Sequence, residues 1–342
     1  MLEKFVLGKN IILSNFKINN SPYKLLFSVT NNCNSRCKTC NNWKTYISKE
    51  LSLDEIELFF KKNNKFSWIT LSGGEPFLRK DLVSIVKIIK QNCKNLYLFT
   101  IATSSLLTKK TINDIKKIIE LNINLFFVTI SLDGDEKNHD YIRGIEGSYS
   151  KAIYLYKELK KLENSNFKVV FGNTLSKFNF GNVQNMFNEV KKDVPKLKIE
   201  DFHFNIYHES KQNYGNMSLI KDKDKYNKNI IEGINSIIKL KKWKLNAISY
   251  LEKKYLILAK KYLRTNKCPV ECKVGYTSCF MNSSGDIYPC SNYYINMGNI
   301  KNFDFDLSKI WNSKKYDMVR QEIKMRKCPQ CWTPCEAYQS II

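Results

Sequence analysis

Apolar residues follow two alternating spacings between residues 23 and 207. Short, nearly continuous apolar runs rich in Ile, Val, Phe, Tyr and Leu predict strands that are buried on both faces. Apolar residues at helical spacing separate these runs and predict helices that cover the faces. The predicted strands are Lys24–Thr30, Trp68–Ser72, Leu96–Thr103, Leu125–Ser131, Lys168–Thr174 and Lys198–Tyr207, and the predicted helices are Asp54–Lys62, Leu82–Asn92, Lys110–Leu121, Tyr149–Leu162 and Val183–Asp193.

Six alternating strand–helix units predict an α/β fold with a parallel sheet and right-handed crossovers, either open or curled into a partial (β/α)6 barrel. Ligand sites in such sheets lie at the carboxyl ends of the strands. Chemically distinctive residues follow four of the predicted strands, namely Cys33, Gly73-Gly74-Glu75-Pro76, Thr103-Ser104-Ser105 and Asp133-Gly134. We therefore expect them to form one site.

The chain divides into four predicted segments. Residues 1–22 form an N-terminal extension and residues 23–220 form the partial barrel. Residues 221–267 are polar, Lys-rich and helical in pattern, which indicates a connector, and residues 268–342 form a small Cys-rich C-terminal domain.

Charge narrows the class of partner. The chain has 56 Lys and Arg against 32 Asp and Glu, a net charge of +24. Only six of the basic residues are Arg and the Lys are scattered, whereas base and phosphate recognition favours Arg. We therefore expect no nucleic-acid partner. No apolar run is long enough for a membrane span and the first residues lack a signal-peptide pattern, so we expect a cytoplasmic protein.

Ten of the eleven cysteines fall into two groups, one near each end of the chain. In a long chain without a secretory signal, grouped cysteines indicate metal ligands rather than a disulfide framework. The remaining Cys93 follows an amphipathic helix and is predicted to lie in the core.

The first group, Cys33, Cys37 and Cys40, has the spacing C-x3-C-x2-C in a polar loop after the first predicted strand. Three thiolates can hold three irons of a 4Fe–4S cluster and leave the fourth iron open to an external ligand. A zinc knuckle would need a fourth Cys or His nearby, and none occurs before Cys93. Structural cysteines would not be concentrated in a polar loop.

This spacing resembles the defining motif of the radical S-adenosylmethionine (SAM) superfamily. The resemblance implies that the amino and carboxylate groups of SAM chelate the open iron. It further implies that an electron from the reduced cluster cleaves SAM into methionine and a 5′-deoxyadenosyl radical, which removes hydrogen from a substrate.

Further motifs extend the resemblance. Gly73-Gly74-Glu75-Pro76 resembles the family's GGEP motif, which contacts the amino group of SAM. The stretch from Ser131 through Asp133 and His139 to Arg143 resembles that of superfamily members with SPASM or Twitch modules. It implies that Ser131 lies near the ribose of SAM and Arg143 near its carboxylate. The expected cofactor-binding residues are Gly73, Gly74, Glu75, Pro76, Thr103, Ser131, Arg143 and Asn179. The residue before the third Cys is often aromatic in the family; here it is Thr39, and Trp43 either replaces it beside the adenine or belongs to the core.

The C-terminal cysteines resemble a Twitch/SPASM module. The resemblance implies an auxiliary 4Fe–4S cluster held by four cysteines, Cys272, Cys290, Cys328 and Cys331. A full SPASM module holds two clusters and needs more cysteines after the last pair, so we expect a one-cluster version. Cys268, Cys279 and Cys335 are left over, and any of them could replace one of the four. A structural zinc ribbon would use similar Cys pairs.

These resemblances predict a radical SAM enzyme that acts on a peptide, as a maturase, or on a small molecule, as an oxidoreductase or biosynthetic enzyme. The auxiliary cluster would accept an electron from the substrate, bind the substrate or relay electrons, and flavodoxin or ferredoxin would be the donor. Asp133, His139 and Tyr214 are catalytic candidates by chemistry. The alternatives are a redox-neutral enzyme with a zinc ribbon and a non-enzymatic iron–sulfur protein. The molybdenum-cofactor radical enzyme has a similar architecture, but its C-terminal pattern is absent here.

Overall fold

The computed structural model describes residues 2–17, 21–44, 49–179, 182–219, 223–242 and 244–341. Within these residues, six strands alternate with helices between residues 24 and 206. The strands are β1 (Lys24–Thr30), β2 (Trp68–Gly73), β3 (Leu98–Thr103), β4 (Leu125–Ser131), β5 (Phe167–Leu175) and β6 (Phe202–Ile206). The helices after β1 to β5 are α2 (Leu53–Lys62), α3 (Leu82–Asn92), α4 (Thr108–Ile119), α5 (Glu136–Arg143) with α6 (Ser148–Lys160), and α7 (Val183–Asp193); α1 (Leu2–Asn15) precedes them.

All six strands run parallel and pair in chain order from β1 to β6. Strand β6 lies at one edge of the sheet, so the barrel is not closed. The predicted α/β fold with a partial barrel is confirmed. Two strand predictions were too long: Leu96 and Tyr97 precede β3, and Ile199–Asp201 form a 3-10 turn before β6.

Strand β1 is the most enclosed element of the sheet. All seven of its residues are buried, which is expected of a parallel strand covered on both faces. Phe27 lies against a cluster that contains Phe59, Phe60 and Phe66. Full burial of one such side chain contributes about 1.5–3 kcal/mol to stability.

The C-terminal residues extend the same sheet. Strand β7 (Ser278–Met281) pairs parallel with β1 on the side opposite β2, and β8 (Asp286–Tyr288) and β9 (Gly298–Asn299) follow antiparallel. The sheet formed by the described residues therefore has nine strands. Strands β7 and β8 form a hairpin, and its attachment to β1 was not predicted.

The remaining helices surround this extension. They are α8 (Lys211–Tyr214), α9 (Lys223–Leu240), α10 (Ala247–Thr265), α11 (Leu307–Trp311), α12 (Lys314–Lys324) and α13 (Pro334–Ile341). Tyr255 of α10 stacks on Trp332, and the Trp332 indole N–H donates to the Tyr255 carbonyl at 3.1 Å. Part of the predicted connector therefore packs on the C-terminal residues. Among the described helices, none has the length and apolar character of a membrane span.

A buried cation joins β1 to α13. Lys24 is fully buried, and its ammonium donates to the Cys335 carbonyl and, at 3.1 Å, to Gln339 Oε1. The ammonium also lies 3.7 Å from the centre of the Trp68 ring. The charge of Lys24 counteracts the rise that burial causes in the pKa of Glu336, whose carboxylate accepts from Ser278 and Gln339.

We expect Lys24→Met to lower the stability of the protein by about 3–5 kcal/mol, because the carboxylate of Glu336 would be left buried without a cation. The measurement is the midpoint of thermal unfolding of the iron-loaded protein. The double variant Lys24→Met/Glu336→Gln should recover part of the loss. An unchanged midpoint in the single variant would contradict this account.

Candidate active site

The first cysteine loop begins where β1 and β2 end side by side. The Gly74 N–H donates to the Thr30 carbonyl and the Glu75 N–H to the Asn32 carbonyl, both at 2.8 Å. A Cβ on Gly74 would overlap the Asn32 carbonyl, and one on Gly73, whose φ is +123°, would overlap that of Thr30. These two glycines therefore let the end of β2 approach the backbone that leads into Cys33.

Glu75 ties the end of β2 to the end of β3. It is 1% exposed, and burial raises the pKa of its carboxyl group. One carboxylate oxygen accepts from Thr103 Oγ1 at 3.0 Å and the Phe77 N–H at 3.2 Å. The other accepts from the Ser104 N–H at 2.7 Å and Ser104 Oγ at 2.6 Å. Glu75 therefore positions the neighbouring loops, and its contact with SAM stays a prediction. Pro76 begins the 3-10 turn that follows it.

The three loop cysteines are half-buried. The Cys37 sulfur accepts from Arg143 Nη1 at 3.7 Å, and the Cys40 sulfur accepts from the Asn42 N–H at 3.4 Å. Burial raises the pKa of Cys33 to about 11 and that of Cys40 to about 12. Such N–H donors to sulfur are typical of thiolates that ligate iron–sulfur clusters. Trp43 lies beside the loop, where its indole N–H donates to the Cys40 carbonyl at 3.1 Å.

The end of α5 holds this loop from the other side. The carbonyls of Ile142 and Arg143 accept from the N–H groups of Lys38 and Arg36 at 2.8 and 2.9 Å. Gly144 ends the helix at φ +66°, and a Cβ there would clash with the Arg36 carbonyl. The Arg143 guanidinium is thereby fixed next to Cys37.

Arg143 forms an ion pair with Asp133, with Nη2 and Oδ2 2.7 Å apart. Asp133 is 3% exposed, and its Oδ1 also accepts from the Thr174 N–H at 2.9 Å. His139 is fully buried and its Nδ1 accepts from the Asp133 N–H at 3.1 Å, while burial lowers its pKa well below the usual value. The structure brings these two catalytic candidates together, but both are engaged within the protein.

The other predicted residues occupy the same rim. Asn179 donates to the carbonyls of Asp133 and Thr174, both at 2.9 Å, so its amide joins the loops after β4 and β5. Ser131 ends β4 opposite Gly172 of β5. Tyr214 lies beside the first cysteine loop, with its carbonyl 3.5 Å from the Cys40 sulfur. Burial raises the pKa of its phenol.

Several buried polar atoms around this rim have no hydrogen-bond partner within the protein. They include Ser72 Oγ, Arg143 Nε, Asn173 Oδ1, Asn205 Oδ1 and Asn213 Oδ1. Such atoms are costly unless a ligand or water satisfies them. Three thiols, a guanidinium and these unpaired polar atoms therefore fit an iron–sulfur cluster with a polar, charged ligand.

One of the three left-over cysteines of the second group, Cys268, lies within electrostatic range of the predicted ligands Cys272 and Cys331. Burial raises the pKa of Cys272, and the neighbouring Cys268 and Cys328 raise it further. The pKa of Cys331 is likewise raised by burial and then by Cys290, Cys272 and Cys268. Cys268 therefore lies with the four predicted ligands, and its C-x3-C spacing to Cys272 was the available signal. Burial raises the pKa of Cys279 and Cys335, with Lys24 counteracting the rise at Cys335, and no other described cysteine is among the main causes of either shift. Cys93 is buried in the core as predicted.

The Cys290 sulfur accepts from the N–H groups of Asn292 and Tyr293 at 3.4 and 3.3 Å, as expected of a cluster ligand. Among the residues that the structure describes, no three Cys, His, Asp or Glu side chains are arranged as a complete metal-ligand set. The ligand assignments of both groups therefore rest on position in the fold, on sulfur hydrogen bonds and on sequence pattern.

A cavity of about 160 Å³ lies between the ends of β5 and β6, helices α9 and α10, and the Cys328–Cys331 pair. Its walls include Lys177, Tyr207, His208, Tyr262 and Cys331. His208 Nε2 is buried without a partner in the protein, and burial lowers the pKa of this imidazole to about 4. The cavity adjoins the second cysteine group at the carboxyl edge of the sheet.

The fold and its two cysteine groups define an iron–sulfur protein built on a partial α/β barrel. The chain contains a radical SAM domain, because residues 27–190 match the Radical SAM superfamily, and a SPASM iron–sulfur cluster-binding domain at residues 272–332. The predicted family and C-terminal module are confirmed. The cofactors of these two domains are a SAM-binding 4Fe–4S cluster with SAM and auxiliary iron–sulfur centres.

Curated relatives carry several different names. A 7-carboxy-7-deazaguanine synthase of Thermoplasma acidophilum is 36% identical over 24% of this chain and 39% of its own length. The sporulation killing factor maturation protein SkfB of Bacillus subtilis is 28% identical over 48% of this chain and 38% of its own length. An AdoMet-dependent heme synthase of Methanosarcina barkeri is 23% identical over 91% of this chain and 89% of its own length. The chain thus spans less than half the length of the deazaguanine synthase and of SkfB.

Solved structures share the fold. SuiB of Streptococcus suis bound to precursor peptide SuiA has a TM-score of 0.59 at 18% identity, covering 92% of this chain and 70% of SuiB. The protein anSMEcpe with bound AdoMet and Kp18Cys peptide has a TM-score of 0.61 at 18% identity, covering 91% and 88%. At this identity the likeness establishes the fold alone.

We expect Gly74→Ala to displace the first cysteine loop, because the new Cβ has no space beside the Asn32 carbonyl. Iron content after anaerobic reconstitution should fall by about four per chain, the content of one 4Fe–4S cluster. Gly8→Ala is the matched control, since a Cβ at Gly8 in α1 meets no atom within 4 Å. Full iron content in Gly74→Ala would show that the close approach is not required.

Proposed function

We propose that the protein is an enzyme that reductively cleaves SAM to a 5′-deoxyadenosyl radical and abstracts hydrogen from its substrate. The observation that carries the proposal is the cysteine loop at the end of β1, packed between Gly73-Gly74 and the Asp133–Arg143 pair within a radical SAM domain. Flavodoxin or ferredoxin supplies the electron, and the net charge of +24 favours an acidic carrier of that kind. We propose a cytoplasmic location, where thiols remain reduced.

Residues of the barrel would hold the first cofactors. Cys33, Cys37 and Cys40 would ligate the cluster, which when bound supplies an open iron for SAM and the electron that cleaves it. Arg143 keeps a permanent positive charge beside Cys37, with Asp133 as its anchor, and this charge would attract the carboxylate of SAM. Because Asp133 and His139 are buried and hydrogen-bonded, we assign them to positioning Arg143 and the β4 loop.

Residues 268–342 would hold the auxiliary cluster. The proposed ligands are Cys272, Cys290, Cys328 and Cys331, with Cys268 as the fifth thiol of the group. The match to an iron–sulfur cluster-binding domain favours a cluster over a zinc ribbon. A cluster here could accept or relay an electron or bind the substrate.

We propose a peptide as the substrate. The support comes from SuiB bound to precursor peptide SuiA and anSMEcpe bound to Kp18Cys peptide, which share this fold, and from the maturation protein SkfB. In this chain, a cavity beside His208 and Cys331 adjoins the second cysteine group and offers a place for part of such a substrate. A biosynthetic small molecule is the second candidate, favoured by the likeness to a heme synthase over 91% of the chain.

Iron content and SAM cleavage together test the first site. We expect about eight irons in the wild type and about four in the Cys33/Cys37/Cys40 triple Ala variant. The triple variant should produce no 5′-deoxyadenosine with dithionite as reductant. Normal cleavage in the triple variant would refute the assignment, and about four irons in the wild type would leave the C-terminal module as a zinc site or empty.

The auxiliary site is tested by Cys328→Ala. We expect this variant to lose the auxiliary iron and to retain SAM cleavage, while turnover of substrate fails. Cys93→Ala is the control. Cys93 lies in the core and outside both cysteine groups, so this variant should keep the wild-type iron content. Unchanged iron content in Cys328→Ala would contradict the ligand assignment.

A further inference from the structure

Residues His208–Asn216, here termed the bridge segment, follow β6 and contain the short helix α8. The Ser210 hydroxyl caps α8 by accepting from the Asn213 N–H at 3.0 Å, and Gly215 ends the helix at φ +57°. The Asn216 amide closes the segment: it accepts from the Ser210 N–H at 2.8 Å and donates to the His208 carbonyl at 3.1 Å. These bonds give the bridge segment a fixed local shape.

One side of the bridge segment bonds to the first cysteine loop. The Tyr214 carbonyl accepts from the Asn41 N–H at 2.8 Å and lies 3.5 Å from the Cys40 sulfur. The Asn216 amide donates to the Thr39 carbonyl at 3.0 Å. The Asn42 amide donates to the Asn213 carbonyl at 2.6 Å and also to the Gly73 carbonyl at 3.2 Å. The segment is therefore tied to both the loop and the end of β2.

The other side bonds to the loop that carries Cys290. The Gln212 Nε2 donates to the Cys290 carbonyl at 3.0 Å, and the Ser210 hydroxyl donates to the Ser291 carbonyl. The Asn292 amide donates to the Glu209 carbonyl at 2.6 Å. The Asn292 N–H in turn donates to the Cys290 sulfur. The nine-residue bridge segment is thus hydrogen-bonded to the first cysteine loop on one side and to the Cys290 loop on the other.

We propose that the bridge segment fixes the auxiliary cluster relative to the SAM-binding cluster, and that Gln212 is the positioning residue of the electron path between them. The path runs from Cys290 through its carbonyl to the Gln212 side chain and along the backbone to the Asn213 carbonyl. It continues across the hydrogen bond from the Asn42 amide to that carbonyl and through the Asn42 N–H to the Cys40 sulfur. With both clusters bound, this path would carry one electron from the auxiliary cluster, which would be oxidised, to the SAM-binding cluster, which would be reduced. The low-potential carrier restores the auxiliary cluster. The inference rests on the proposed function, since it requires both clusters.

The alternative is that the bridge segment only joins two parts of the chain. In that case, removing one side-chain hydrogen bond would leave electron exchange unaltered, because each cluster keeps its own cysteines and sulfur hydrogen bonds. Gln212→Met removes the bond to the Cys290 carbonyl and keeps the length of the side chain. Gln184→Met is the matched control, because Gln184 is exposed on α7.

The experiment uses the reconstituted holoenzyme, reduced by a pulse of photoreduced deazaflavin and sampled by freeze-quench EPR, with iron content measured on the same samples. We expect Gln212→Met to keep the wild-type iron content and both cluster signals, and to lose the fast phase of electron redistribution between them. Gln184→Met should retain the fast phase. Should Gln212→Met fold poorly, Gln212→Asn, whose shorter amide does not reach the Cys290 carbonyl, should show the same loss.

Redistribution at the wild-type rate in a folded Gln212 variant that holds both clusters overturns the inference and leaves the proposed function standing. A wild-type protein that holds one cluster overturns both. Loss of the fast phase with both EPR signals intact supports the inference, because a purely structural role of Gln212 would not separate cluster content from electron exchange.

Discussion

The close contact between the ends of β1 and β2 is the constraint on which the site depends. Without side chains, Gly73 and Gly74 let the second strand end against the carbonyls of Thr30 and Asn32. That contact decides where Cys33 begins its loop, and the Asn42 amide uses the Gly73 carbonyl to hold the loop's far end. The parallel sheet brings the carboxyl ends of the strands to one edge. The contact between the ends of β1 and β2 then places the first cysteine loop next to the other polar residues at that edge.

The polar groups at this edge mostly bind the protein itself. Glu75 joins the loops after β2 and β3, Asn179 joins those after β4 and β5, and Asp133 anchors Arg143. Each of these side chains is buried, so its hydrogen bonds face little competition from water. The bonds therefore restrict the loops to few conformations. The rim is thus largely arranged before a cofactor arrives, which is the condition for precise orientation of a reactive group.

Much of this could be predicted from sequence, because strand and helix periodicity and the spacing of Cys33, Cys37 and Cys40 are local patterns. The strand ends then placed Glu75, Asp133 and Arg143 together. The hydrogen-bond partners of buried side chains could not be predicted. The bonds between Glu75 and Ser104 and between Gln212 and Cys290 join residues that no sequence motif or periodicity connects. The attachment of β7 to β1 was missed for the same reason. The sequence left the choice among Cys268 and the four predicted ligands open, because five thiols compete for a site that needs four.

The position of β1 between β2 and β7 has a consequence for how the chain matures. Lys24 lies opposite Ser278, so one edge of β1 remains unpaired until the C-terminal strands have been synthesised. At about 5–20 residues per second, that delay is roughly 10–50 s on the ribosome. An apolar strand with an open edge is a site for aggregation and for chaperone binding during this interval. The nascent chain should therefore depend on assistance early, well before iron delivery becomes relevant.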